Sequence, residues 1–338
     1  MNHHKSIRAT RRGQPATVRD VARACGVSKR LVMAILNEEQ TGSTRASAAT
    51  RARVRAAAAR FGYRPNRTAR NIQRGRHGSV GLLVGDVTFI RPQELQLMID
   101  AARQRDWLLV VEQATAGTAP KLVREDCVDG LLFFQTMDRA LCRDIVRARL
   151  PLVQINTNTR AGAGCITYDE EAGMRRVVLL LAARGRTQPA LLIGDRAPAH
   201  YSDRVRPALL RGAAPAAGMA APTIARANDA PQAYTATAAL LRRQPRTDCI
   251  ILHADSLAPG VWRAATEAGR RIPRDLSVIS FYRTAFADTL TPRLTTLQIN
   301  PARLVQQAFA LLDVMVHGRR ASARGVTLPY ELVPGGSV

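Results

Sequence analysis

Within "GVSKRLVMAILN", residues 26–37, Lys29 and Arg30 directly follow Ser28, whose hydroxyl can cap the start of a helix. Leu31, Val32, Ile35 and Leu36 then recur at three- and four-residue spacing and make one apolar face. Two cations in the first exposed turn oppose the helix dipole, which is poor design for a helix serving only to pack. A phosphate or a base edge held against that turn would account for them. The spacing therefore poses a choice between a buried helix and one laid against a polyanion.

Catalytic and metal chemistry find little support. "AGAGC", residues 161–165, has two glycines, lacks a third and runs into the strand-like "CITY" rather than a helix. The dinucleotide-binding fingerprint needs strand, glycine loop and helix together. No G-x-x-x-x-G-K, G-x-S-x-G or H-E-x-x-H occurs. Cys25, Cys127, Cys142, Cys165 and Cys249 are scattered with no C-x-x-C pair, as expected of free thiols in a reducing compartment. The histidines do not cluster at metal spacing. These readings predict neither an enzyme nor a metal or cofactor site.

The elements that would position Lys29 and Arg30 are three short helices over residues 17–63. Thr17 can cap "VRDVARACG", Ser28 the quoted stretch, and Ser47 "AATRARVRAAAARFG", which stops at Gly62. A tight turn at Gly26 and Val27 joins the first two, which is helix-turn-helix geometry. Beyond residue 80, apolar runs such as "VGLLVG", "DGLLFF", "PLVQIN", "PALLIG", "DCIILH" and "LSVISF" alternate with helical patterns. That βαβ pattern implies parallel sheets covered by helices, in a chain long enough for two or three folding units. Charge is lopsided. Of the net +24, residues 1–80 carry +15, from 18 basic against 3 acidic side chains. Arginine outnumbering lysine 47 to 3 fits codon bias, but codon bias does not explain this asymmetry. The basic block is the footprint of a polyanionic partner. The basic start has no apolar segment after it, and no run approaches the ~20 residues that span a bilayer. A cytoplasmic protein without a membrane partner is expected.

The ordered pieces "TVRDVARACGVS", "LN" and "TRARVRAAAARFGYRPNRTAR" resemble the DNA-binding headpiece of the lactose-repressor (LacI/GalR) family of bacterial regulators. "GSVGLLVGD", "VDGLLFF", "LPLVQIN", "RDLSVISF", "LTTLQI" and "LPYELV" resemble strands of its ligand-binding core. The resemblance implies an α/β protein: an all-α helix-turn-helix headpiece followed by a two-lobed, parallel-sheet core like a periplasmic binding protein. The expected division is a basic disordered arm (1–16), the headpiece (17–63), a hinge helix or linker (64–78) and the core (79–338). The first lobe would take about 79–168 and 293–318, the second about 169–292 and 319–338.

By resemblance, Lys29 and Arg30 hold the main base-reading positions. Arginine can fork onto guanine O6 and N7, and lysine can donate to the same edge. Thr17, Ser28, Met33, Ala34 and Asn37 complete the recognition segment, with Leu31, Met33 and Ala34 where relatives carry polar residues. The loop after Asn37 is about four residues longer than the commonest family loop, which would move Arg45 toward the backbone. Tyr63, Asn66, Arg67 and Arg70 belong to the hinge, and Ile72 matches the side chain that wedges between base pairs in the minor groove. A flexible basic linker is the plainer reading of that hinge. In the cleft, Asp86, Asn156, Arg204, Ala254, Asp255 and Tyr282 or Arg283 match pocket positions, Arg204 matching the arginine that holds an effector. Fewer carboxylates and more arginine suit an anion such as a sugar phosphate or organic acid. The expected partners are operator DNA, that small molecule and a second copy of the chain. The function implied is a repressor on a palindromic operator. A solute-binding protein without DNA function and a regulator whose pocket has lost its ligand are the competing readings.

Overall fold

The computed structural model describes residues 16–36, 46–64, 71, 75–85, 90–115, 118–134, 139–157, 164–195, 201–318 and 325–338. The chain divides into two units, 1–76 and 77–338. The described residues of the first include the helices Val18–Cys25 (α1), Lys29–Leu36 (α2) and Ala48–Arg60 (α3). Each start has a local cause. The Asp20 carboxylate accepts from the Thr17 backbone N–H and hydroxyl (2.9 and 2.7 Å). The Ser28 and Ser47 hydroxyl oxygens accept from the amides of Leu31 and Thr50 (both 3.2 Å). Gly26, at φ +60°, ends α1 in the left-handed conformation that glycine adopts without strain. Val21, Cys25, Val32, Ile35, Val54 and Ala58 form the core where the three helices meet.

The second unit begins with β1 (Ser79–Val84), α4 (Pro92–Arg103), β2 (Leu108–Gln113), α5 (Lys121–Arg124), β3 (Leu131–Phe134), α6 (Arg139–Arg147), β4 (Leu152–Ile155) and β5 (Gly164–Tyr168). It continues through α7 (Glu170–Ala182), β6 (Pro189–Ile193), α8 (Tyr201–Ala213), β7 (Thr223–Arg226), α9 (Ala230–Arg243), β8 (Cys249–Leu252), α10 (Ala258–Glu267), β9 (Ser277–Ser280), α11 (Phe286–Thr289) and β10 (Thr295–Gln298). Helix α12 (Pro301–Val316) and strands β11 (Val326–Leu328) and β12 (Glu331–Val333) close the chain. Two six-stranded sheets result, in the orders β11-β5-β4-β3-β1-β2 and β12-β10-β9-β8-β6-β7. Among the described residues all pairings are parallel except β10 with β12. Strands β1, β3, β4, β6, β8 and β9 are buried along their whole length, which is why they read as unbroken apolar runs.

The lobe boundaries differ from the expectation. β10 lies beside β9 in the second sheet, although 293–318 was assigned to the first lobe. β11 lies beside β5 in the first sheet, although 319–338 was assigned to the second. Sheet membership is decided by backbone partners, and composition does not carry that information. The chain thus passes between the lobes near residue 169, at 299–300 and at 329–330. Among the described residues no helix is long and apolar enough to cross a membrane.

Candidate functional site

In the first unit, α2 turns Val32 and Ile35 inward and leaves Ser28, Lys29 and Arg30 exposed at its N-terminal end. Both cations therefore stand free of the core, on the turn where the dipole disfavours them. Thr17 is also exposed. Met33 is half-buried, and the Tyr63 hydroxyl donates to its sulfur at 3.7 Å. Ala34 corrects the expectation. It is buried, at 8% exposed, and so has little surface to offer a base. Asn37, Arg45, Asn66, Arg67, Arg70 and Ile72 lie outside the described residues, as does Asp86 of the core.

In the second unit, a cavity of about 80 Å³ opens between the lobes at the carboxyl ends of the parallel strands. That is where open α/β sheets place their ligands, because helix starts and strand ends converge there. The first lobe contributes Arg91, Glu94, Phe134, Asn156 and Tyr168. Ser202, Asp203, Arg206, His253, Ala254, Phe281 and Tyr282 come from the second, and Ile299 and Tyr330 from the crossings. Asn156, Ala254 and Tyr282 therefore stand in the cavity as expected.

Three other positions do not. Arg204 is exposed on α8, and the arginine that this helix sends to the cavity is Arg206, two residues and roughly 200° of helix away. Arg283 pairs with Asp288 (2.5–2.6 Å) instead of facing the cavity. Asp255, fully buried, accepts from the Thr284 amide and hydroxyl (2.5 and 2.8 Å) and fastens that loop. Burial raises its pKa, and the two hydrogen bonds work against the shift.

Arg206 is held on every side. Its Nε and one Nη donate to Glu170 (2.7 and 3.0 Å), and that Nη also donates to the Tyr330 hydroxyl (2.9 Å). Its guanidinium lies 4.0 Å from the centroid of the Phe281 ring. Tyr330 and Ser202 each donate to the same Glu170 oxygen (2.8 and 2.6 Å). Burial opposes the arginine's charge, but Glu170 outweighs it and the pKa is raised. Burial likewise raises the Tyr168, Tyr282 and Tyr330 hydroxyls, which stay protonated and able to donate. Across the cleft, Arg91 pairs with Glu94 three residues on, at the start of α4. Asp203 stands 3.6 Å from the His253 ring, and one of its oxygens accepts no hydrogen bond from the described residues. The lining thus holds Arg91 paired with Glu94, Arg206 paired with Glu170 behind the wall, and the carboxylate of Asp203.

Arg91, Glu94, Tyr168, Glu170, Ser202, Asp203, Arg206, His253 and Tyr330 had not been singled out from sequence. Only the pair Arg91–Glu94 carries a local sign, since "RPQE" has the proline and the acidic third position of a helix start.

Residues 17–66 match the model of bacterial regulatory proteins of the lacI family, and residues 171–338 match that of a periplasmic binding protein-like domain. The ribose operon repressor of Escherichia coli (strain K12) is 27% identical over 317 residues, covering 89% of this chain and 92% of its own. The lactose operon repressor of the same strain is 26% identical over 337 residues, covering 95% and 90%. The fold is that of the lac repressor dimer bound to operator and the anti-inducer ONPF. That structure has a TM-score of 0.81 at 24% identity, covering 96% of this chain and 99% of that one. A complex of the regulator CelR with cellobiose matches at TM-score 0.69 and 22% identity, covering 96% and 100%. With residues 17–66 matched by the first model and residues 171–338 of the core by the second, the chain belongs to the lacI family of bacterial regulatory proteins.

Proposed function

We propose that this regulator represses transcription by placing α2 in the major groove of a palindromic operator, as a homodimer, under control of a small molecule in the inter-lobe cavity. The observation that carries this reading is α2 itself: one side packs on α1 and α3, and Lys29 and Arg30 stand exposed at its leading end. A helix docked in that way presents its N-terminal side chains to base edges. Lys29→Ala and Arg30→Ala should each cost about 1–3 kcal/mol on the operator and much less on random DNA. Mobility shift with a palindrome from upstream of the protein's own gene tests this. Equal losses on both DNAs would reduce the two residues to phosphate contacts.

Dimer formation is supported by an apolar edge. Strand β2 ends the first sheet, and Leu108, Val110 and Val111 on it are exposed beside the half-exposed Ile99 of α4. Exposed apolar side chains gathered on one sheet edge are what a monomer avoids and an interface uses.

The effector we propose is small, uncharged and polar, with an apolar face. The anionic expectation rested on Arg204 and Arg283, and neither faces the cavity. Arg91 and Arg206 do, but Glu94 and Glu170 neutralise them. Phe134, Tyr168 and Phe281 offer flat apolar surface, while Asn156, Asp203 and Ser202 offer polar groups. A second reading has a specific basis. The internal carboxylates already neutralise both arginines, as in a pocket that needs no ligand. Calorimetry with neutral sugars, sugar phosphates and organic acids separates the cases. Binding confined to an anion overturns the neutral effector, and heat from none of them supports the empty pocket.

A further inference from the structure

Arg91 belongs to the first lobe, as the residue that opens α4, yet most of its donors act on the second. One Nη donates to the Arg283 carbonyl (3.2 Å) and the other to the Ile299 carbonyl (3.3 Å). Its guanidinium lies 4.9 Å from the centroid of the Tyr282 ring. Arg283 and Tyr282 follow β9, and Ile299 begins a crossing between the lobes. Glu94, 2% exposed, supplies the counter-charge from the arginine's own helix. Its carboxylate sits at the helix N-terminus, where the dipole favours it. Its Nε is buried with no acceptor among the described residues.

We infer that Arg91 is the positioning residue that sets closure of the cleft: it ties the loop 281–285 and the crossing at 299–300 to the first lobe from inside the cavity wall. This rests on the reading of that cavity as the effector site and names how the site would report its state. An effector placed there shares its wall with the side chain that holds the lobes together. Arg91 itself lines the cavity, so binding and closure act through one guanidinium. A fork is required for this. Arginine offers separated donors in a fixed plane, so one side chain can reach two carbonyls and a carboxylate, which a lysine ammonium cannot match in direction.

The test uses the full chain without ligand or DNA, following amide hydrogen exchange segment by segment. Arg91→Lys keeps a cation for Glu94 but loses the fork. Arg91→Met with Glu94→Gln removes both charges and avoids a lone buried carboxylate should the single substitution fail to fold. In both variants, amides of 281–286 and 299–301 should exchange about tenfold faster or more, as expected when charge-assisted hydrogen bonds are lost and local opening becomes easier. Amides of β1, β3, β8 and β9 should keep their parental rates. Unchanged exchange at 281–286 in both variants overturns the inference. An equal rise across both sheets also overturns it, because Arg91 would then be a general fold residue. A parent chain that failed to bind operator would count against the function proposed above and leave this readout standing.

Discussion

At the scale of single residues, the cavity is governed by charges that are already paired. Taking two ions out of water costs several kcal/mol each, and their attraction offsets this only when the remaining donors and acceptors are also met. Arg206 and Glu170 meet that condition through Tyr330, Ser202 and the Phe281 ring. Arg206→Ala should therefore destabilise the core by about 3–5 kcal/mol by leaving Glu170 buried and alone. Arg206→Met with Glu170→Gln should recover most of that loss, and urea denaturation of the two variants compares them directly. Asp255 makes a different case. Burial lifts its carboxyl above the ordinary 3.8, so the folded chain holds that proton more tightly than the unfolded one. Its contribution to stability grows as pH falls through the folded pKa and is complete below the unfolded value. Asp255→Asn should thus compare more favourably with the parent at pH 7 than at pH 4.5. Urea midpoints that differ by the same amount at both pH values would contradict the assignment.

At the scale of elements, what the sequence revealed followed from how local each cause was. Helices α1 to α3 were legible because Thr17, Ser28 and Ser47 sit where caps belong and Gly26 and Gly62 mark the stops. The central strands were legible because burial on both faces forces continuous apolar runs. β7 and β11 were not, being edge strands of four and three residues that are only partly buried. The cavity was the least legible. Its wall comes from segments far apart in the chain, and a two-residue displacement on α8 separates exposed Arg204 from buried Arg206. A parallel case is Gly173 on α7. A Cβ there would fall 2.6 Å from the Tyr330 ring, so glycine is required by a residue over 150 positions away. Capping, by contrast, can be tested locally. Ser47→Ala should cost the headpiece about 1 kcal/mol by orphaning the Thr50 amide. Thermal melting should show a lower headpiece transition and an unmoved core transition. Equal shifts of both would mean that the two units do not melt independently.

At the scale of the whole molecule, the basic excess and the fold boundary nearly coincide, since the first unit ends at residue 76 and the +15 block at residue 80. Residues 77–338 alone should fold and lose operator binding, with circular dichroism and mobility shift as the two measurements. In the full chain, log affinity should fall linearly with log salt as phosphate contacts release counterions. A fragment that kept operator affinity would move the DNA-binding function out of the headpiece.

The three passages between the lobes also govern how the protein can be made. Neither lobe is a continuous stretch of polypeptide, and the outer strand of the first sheet, β11, joins β5 across 160 residues, as Thr167 and Thr327 mark. At roughly 5–20 residues per second of synthesis, β5 waits about 10–30 s on the ribosome for its neighbour. Its open edge is a nascent-chain liability during that interval, while the headpiece, complete within the first 76 residues, can fold long before the core it serves.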